Sequence, residues 1–156
     1  MNALGEAWID PGNLKTGTAG AEIEIVVPYT DWALAESVLQ RAAVLAAGLK
    51  AAIRLVAVHA VPYPLPFPGP VAEHAYLVER LTDLAKRCPV PVDPLVVLAR
   101  YPDDGFRHVL KPASIVLIGS RKRLWPTREK KLARSLARDG HQVVLLHLQE
   151  KEARNA

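Results

Sequence analysis

The feature that most constrains the fold is a repeated change of hydrophobic period along the chain. Short β-rich apolar runs alternate four times with longer stretches of helical spacing, and one more apolar run closes the series. The predicted strands cover residues 22–27, 52–60, 94–99, 114–118 and 142–148, and the predicted helices cover residues 32–47, 71–87, 103–110 and 127–138. This alternation predicts one α/β domain with a doubly wound, five-stranded parallel sheet and helices on both faces.

Local signals predict where the first helix begins and ends. Thr30 and Asp31 precede it, and either side chain can accept a hydrogen bond from the free N–H groups of the first turn. Gly48 follows the last residue with helical spacing and is predicted to end the helix. Residues 62–70 contain five prolines in nine residues and are predicted to form an extended loop.

Length and composition are consistent with a single domain. The chain has 156 residues, half of them hydrophobic, which is long enough for one core and short for two. The domain is predicted to cover residues 22–148. Residues 1–21, rich in glycine and polar residues, are predicted to be a flexible N-terminal tail, and residues 149–156 a polar C-terminal tail.

Cysteine content and charge exclude several classes of protein. The one cysteine, Cys88, cannot form an intrachain disulfide. No run approaches the roughly 20 apolar residues that cross a bilayer, and the N-terminus lacks the pattern of a secretory signal. A cytoplasmic protein without a membrane span is therefore predicted. The net charge of +4 favours anionic partners but is too small to establish nucleic-acid binding.

Two segments occupy the positions where open α/β sheets bind ligands, beyond the carboxyl ends of strands at the point where the winding reverses. "VVPYTD" (26–31) follows the first predicted strand, and "IGSRKR" (118–123) follows the fourth. The second segment begins a basic stretch, "GSRKRLWPTREKK" (119–131), in which six of thirteen residues are Lys or Arg.

These segments, taken in order, resemble the universal stress proteins. "VVPYTDWALAESVLQRAAVLAAGL" is similar to that family's first strand, prolyl turn and Ala-rich helix. "VAVHAV" is similar to the end of its second strand, and "IGS" (118–120) to the end of its fourth. The resemblance covers residues 22 to 148. It implies strand order 3-2-1-4-5, which brings residues 28–31 beside residues 119–121, and it implies ATP or AMP as candidate ligands.

The chain departs from the ATP-binding members of that family at the phosphate-binding glycines. Those members carry Gly-x-x-Gly, nine residues, then Gly-Ser or Gly-Thr, whose backbone amides approach the phosphates. Gly119 is retained, but Lys122 stands at the second glycine and the following stretch is about three residues shorter. Thr30 occupies the place of the family's first-strand aspartate. The residues carried over as candidate ligand-binding positions are Pro28, Thr30, Asp31, Gly119, Ser120, Arg121 and Lys122.

Three functions are consistent with these observations. The first is a regulatory or scaffold domain of universal-stress-protein type with a degenerate nucleotide pocket. The second is an adenine-nucleotide sensor in which basic side chains hold the phosphates. The third is an anion or nucleic-acid adaptor that uses the basic helix 128–138, although a stripe of charges is more often a solvated helix face, and this argues against nucleic acid.

No catalytic residue or metal ligand is predicted. The five histidines lack paired spacing on a helix, and nucleotide-binding glycine motifs and nucleophile motifs do not occur. The family resemblance also implies a homodimer formed through the last strand. An apolar, unpaired edge strand invites such a partner. The predicted contact residues are Val143, Val144, Leu145, Leu146 and Leu148.

Overall fold

The computed structural model of the chain describes residues 7–9, 23–67, 69–112, 114–121 and 127–148. Within these ranges the chain forms six strands and four helices. In chain order they are β1 (Ala7–Ile9), β2 (Glu24–Pro28), α1 (Trp32–Leu49), β3 (Ala52–Ala60), α2 (Val71–Arg87), β4 (Val92–Ala99), α3 (Pro102–Val109), β5 (Ile115–Arg121), α4 (Arg128–Arg138) and β6 (Gln142–Leu148).

The sheet confirms the predicted architecture. The strand order is β1-β4-β3-β2-β5-β6, and the five strands from β2 to β6 pair in parallel. Counting only those five in chain order gives 3-2-1-4-5. The winding reverses between β2 and β5, which pair directly through Ile25 with Ile115 and Val26 with Val116.

Two layers of helices cover the sheet. Alternate residues of a strand point to opposite faces, so Ile25 and Val27 pack in a cluster with α1 and α2, whereas Val26 packs with α3 and α4. Fully buried leucines such as Leu34 and Leu81 anchor the first layer. Burial of each such side chain contributes about 2 kcal/mol relative to exposure.

The helix α1 begins as predicted but ends later. Asp31 is the N-cap, and its carboxylate accepts a hydrogen bond from the Leu34 N–H at 3.1 Å. The helix passes through Gly48 and ends at Leu49. Lys50 adopts the left-handed conformation (φ 51°), and its N–H donates to the Ala46 carbonyl. The prediction that Gly48 ends the helix is therefore wrong, because the left-handed residue is Lys50. The Ala51 N–H also donates to the Ala46 carbonyl, at 3.0 Å, and closes the last turn.

The strand β5 also extends further than predicted. The apolar run suggested an end at Ile118, but pairing with β6 continues through Gly119, Ser120 and Arg121, which is in register with Leu148. Residues 119–121 therefore belong to the strand and not to the turn after it. The periodicity of one strand cannot reveal how far its neighbour continues to pair.

The short strand β1 was not predicted. Ala7–Ile9 pairs antiparallel with β4 from Val97 to Ala99, at the edge of the sheet opposite β6. The other residues of the predicted N-terminal tail from 1 to 21, and those of the predicted C-terminal tail, lie outside the described ranges. No described helix is long and apolar enough to cross a bilayer.

Candidate functional site

The carboxyl ends of β2 and β5 lie side by side, as the sequence predicted. The turn after β2 carries Thr30 and Asp31, and β5 ends at Arg121. The Arg121 guanidinium donates to the Asp31 carboxylate, with 3.1 Å between Nη2 and Oδ1. Two residues that are 90 positions apart in the chain thus form one ion pair at the reversal point.

Asp31 makes two structural interactions at this position. It caps α1 through the Leu34 N–H and it pairs with Arg121. Partial burial raises the pKa of Asp31, but the hydrogen bonds from the Leu34 N–H and Arg121 outweigh this effect, so the pKa lies below its ordinary value of 3.8. The carboxylate is therefore ionised at neutral pH and is already engaged with protein donors.

Gly119 faces a helix. A Cβ atom built on Gly119 would lie 2.7 Å from Cγ2 of Val38, a buried residue of α1. Glycine is required here because α1 packs directly on the β5 backbone. The position thus has a packing role that is independent of any ligand.

Ser120 and Pro28 are both buried within strands. The Ser120 hydroxyl donates to the Arg121 carbonyl and lies 3.3 Å from Oγ1 of Thr127, which in turn caps α4 by accepting from the Lys130 N–H. Pro28 is the last residue of β2. Lys122 lies outside the described residues, so its predicted role has no structural counterpart.

The first residue of α4 contacts the turn after β2. The Arg128 guanidinium donates to the Thr30 carbonyl. This hydrogen bond connects the start of α4 to the prolyl turn, beside the Asp31–Arg121 pair.

A cleft of about 200 Å³ opens beside the turn after β2. Its walls are mainly apolar, with one carboxylate, from Asp103, and one guanidinium, from Arg128. Its lining residues are Tyr29, Thr30, Ala57, Val58, Leu77, Pro102, Asp103, Phe106, Arg128 and Leu132. A small ligand with an apolar body and a few polar groups fits this chemistry.

Sequence reasoning found little of this lining. Of the predicted site residues, Thr30 lines the cleft, whereas Asp31 and Arg121 pair with each other next to it. Asp103 is the residue whose sequence context most misleads. It lies in the first turn of α3, where an acidic residue is typical of a helix start, and α3 has no side-chain cap. Only the packing of α3 against β3 brings Asp103 and Phe106 to the cleft.

The described residues contain no group of three or more His, Cys, Asp or Glu side chains suited to a metal ion. His59 is buried in β3, and its Nε2 lies 3.1 Å from a carboxylate oxygen of Glu73 on α2. This contact joins β3 to α2, which is a structural role for a buried histidine.

The fold is that of solved universal stress proteins. The structure is similar to a universal stress protein from Archaeoglobus fulgidus, with a TM-score of 0.55 and 19% identity over 80% of this chain and 93% of that one. It is also similar to a protein of the universal stress protein family from Burkholderia pseudomallei, with a TM-score of 0.57 and 20% identity over 84% of this chain and 99% of that one. No family model and no curated protein matches the sequence.

Proposed function

We propose that this chain is a regulatory or scaffold domain of universal-stress-protein type whose nucleotide pocket is degenerate. The observation that carries the proposal is the ion pair between Arg121 and Asp31 across the reversal point. A phosphate-binding cradle of backbone amides needs glycines and open space. Here a guanidinium and a carboxylate from the two candidate segments neutralise each other, and Arg128 is engaged by the Thr30 carbonyl.

Calorimetric titration with ATP and with AMP tests this proposal. We expect no saturable heat from either nucleotide, because the ion pair would have to break before Arg121 could hold a phosphate. Saturable binding of ATP that disappears in the double variant Arg121→Ala, Lys122→Ala would overturn the proposal. The matched control is Lys86→Ala, Arg87→Ala, which removes the same two side-chain types at the last turn of α2.

The second candidate function is an adenine-nucleotide sensor. The cleft beside Thr30 favours it, because its apolar walls suit a flat base and Arg128 could pair with a phosphate. In that case ATP and AMP bind saturably. Binding is weakened by Arg128→Ala and also by the double variant Arg121→Ala, Lys122→Ala. Equal heats for the wild type and for all of these variants would exclude the sensor.

The third candidate is an anion or nucleic-acid adaptor based on α4. Arg134 and Arg138 are exposed on this helix, and Lys130 is half-buried. A salt-sensitive gel shift that is lost when all three are changed to Gln would support it. The absence of any shift at low salt would exclude it.

We further infer a homodimer through β6 and a cytoplasmic role in stress response without catalytic turnover. The position of β6 at the edge of the sheet supports the dimer. Val144 is exposed, and Val143, Leu145 and Leu146 are half-buried. Leu148 is only 2% exposed and packs in the core, so it is removed from the predicted contact set.

A further inference from the structure

A shallow groove lies between α4 and the edge strand β6. We call it the edge groove; it has a volume of about 250 Å³ and is lined by Lys130, Ala133, Arg134, Ala137, Val143 and Leu145. Four of these residues are apolar and two are cationic, and none is acidic. The groove therefore combines a hydrophobic floor with a positively charged rim.

The edge groove lies on the flank of α4 that faces away from α3, the other helix on this face of the sheet. The opposite flank of α4 is held by α3, because Arg107 donates to the Ser135 hydroxyl at 2.7 Å and to the Asp139 carboxylate. Lys130 and Arg134 lie on the other flank, above the last strand of the sheet.

The two cations of the groove are not neutralised within the described part of the chain. Neither Lys130 nor Arg134 forms an ion pair with a described residue, whereas Arg54, Arg87, Arg107, Lys111 and Arg121 each do. Arg134 is exposed and Lys130 is half-buried. Within the described residues, a partner that covers this edge would therefore meet two positive charges without an acidic neighbour.

A second copy bound through β6 would double that charge. Antiparallel pairing of two edge strands requires a two-fold axis perpendicular to the sheet, and this axis keeps equivalent faces on the same side. Because adjacent strands lie about 4.8 Å apart and packed helices about 10 Å apart, the two α4 helices would lie side by side. Lys130 and Arg134 of each copy would then point toward the axis.

We propose that a multivalent oxyanion binds between the two edge grooves and stabilises the dimer. This inference rests on the β6 dimer of the proposed function, and the site is incomplete in a single copy. Four cations around an axis repel one another unless a counter-charge is present, whereas phosphate-like groups accept several charge-assisted hydrogen bonds from Lys and Arg. The anion thus acts as an effector that links occupancy to oligomeric state.

Sedimentation velocity with inorganic pyrophosphate as the probe tests the inference. The dimer dissociation constant is measured with pyrophosphate and with chloride at equal ionic strength. For the wild type we expect it to fall about tenfold in pyrophosphate, within the usual range of coupling between two binding events.

Variants separate the stabilisation of the dimer by pyrophosphate from general effects of salt. Lys130→Gln, Arg134→Gln should form a tighter dimer in chloride, because repulsion is removed, and should not respond to pyrophosphate. The matched control Lys86→Gln, Lys131→Gln removes two positive charges from exposed positions outside the groove and should respond like the wild type. Thermal unfolding of each variant checks that it is folded.

The outcomes are distinguishable. A dimer that forms equally well in both anions overturns the inference and leaves the β6 dimer intact. A protein that is monomeric in both, or a dimer that persists unchanged in Leu145→Asp, overturns the proposed interface and the anion site with it.

Discussion

Gly105 lies inside α3, where helix propensity alone favours almost any other residue. A Cβ atom at this position would lie 2.6 and 2.7 Å from the two methyl groups of Val58 on β3. Both methyl groups belong to one short, branched side chain, which cannot move aside easily. Glycine therefore allows α3 to approach the sheet and to bring Asp103 and Phe106 to the cleft.

Replacement of Gly105 by alanine should destabilise the protein by about 1–3 kcal/mol, because overpacking outweighs the gain in helix propensity. Gly48→Ala is the matched control in α1. Apart from its chain neighbours and the backbone of its own helix, no atom lies within 4 Å of a Cβ at Gly48, and this substitution should stabilise the protein by about 0.5–1 kcal/mol. Urea unfolding measures both changes. A stabilised Gly105→Ala variant would contradict the close packing of α3 on β3.

Asp31 has a lowered pKa, and the sign of its effect on stability follows from this. Its folded-state pKa lies below the ordinary value of 3.8, so its contribution is fully present above pH 3.8. The contribution is lost as the pH falls through the folded-state pKa. Since the side chain is 38% exposed, solvent screening limits the effect of the charge to about 0.5 kcal/mol.

The variant Asp31→Asn retains a capping side chain but removes the charge. We expect it to be about 0.5 kcal/mol less stable than the wild type between pH 5 and 7. This difference should begin to shrink as the pH falls below 3.8 and should vanish once the pH lies below the lowered pKa of folded Asp31. Urea unfolding at a series of pH values provides the measurement. A difference that stays constant down to low pH would show that Asp31 is not stabilised as a carboxylate.

At the scale of elements, one guanidinium organises the proline-rich loop between β3 and α2. Arg100, just after β4, donates to the Val61 carbonyl at 3.0 Å and to the Leu65 carbonyl. Its guanidinium carbon lies 4.2 Å from the ring centres of Tyr63 and of Phe67. A segment with few N–H donors of its own is thus held by donors from a neighbouring strand.

Removal of this side chain should loosen the loop without unfolding the domain. In Arg100→Ala, amide exchange of Leu65 and Gly69, whose N–H groups donate to Pro62 and Pro66, should accelerate about tenfold, which corresponds to about 1.4 kcal/mol of local stability. Arg100→Lys should give an intermediate rate, because an ammonium cannot stack between two rings and span two carbonyls. Unchanged exchange in Arg100→Ala would mean that the loop is ordered by its own turns.

The ends of the elements show what local patterns can predict. The start of α1 was predicted correctly, because a capping carboxylate acts on the next turn of the same helix. The end of β5 was not, because pairing with β6 determines it. The end of α1 was not either, because the last turn closes at Lys50, where the sequence has no glycine. Lys50 adopts a conformation that normally favours glycine, while Gly48, two residues earlier, remains helical.

At the scale of the whole molecule, the described sheet ends in the three-residue strand β1 on one side and in the seven-residue strand β6 on the other. The strand β1 covers the end of β4, whereas β6 pairs only with β5. The apolar side chains of β6 are partly exposed there. An open edge of this kind favours pairing with another strand.

Light scattering should report twice the monomer mass for the wild type and the monomer mass for Leu145→Asp, because a charged side chain on β6 would lose its hydration at the interface. The control is Val71→Asp, a similar change at a residue of α2 that is 74% exposed. It should remain dimeric. Equal masses for the wild type and Leu145→Asp would refute the β6 interface.

Local patterns in the sequence predicted the class of the fold and its five parallel strands, but not β1. Hydrophobic period is a local property, so β2 to β6 and α1 to α4 could be recognised from neighbouring residues. The resemblance to universal stress proteins supplied the strand order, and with it the juxtaposition of the turn after β2 with the end of β5. The elements themselves follow from spacing along the chain, whereas their order was implied by the resemblance.

The tertiary structure alone decided the chemistry at that juxtaposition. The pairing of Arg121 with Asp31, the packing of Gly119 on Val38 and the contribution of Phe106 to the cleft all join residues from different elements. Their distances depend on helix packing against the sheet, which no local period encodes. Sequence could therefore indicate where a site lies, while only the packed structure determined which side chains face it.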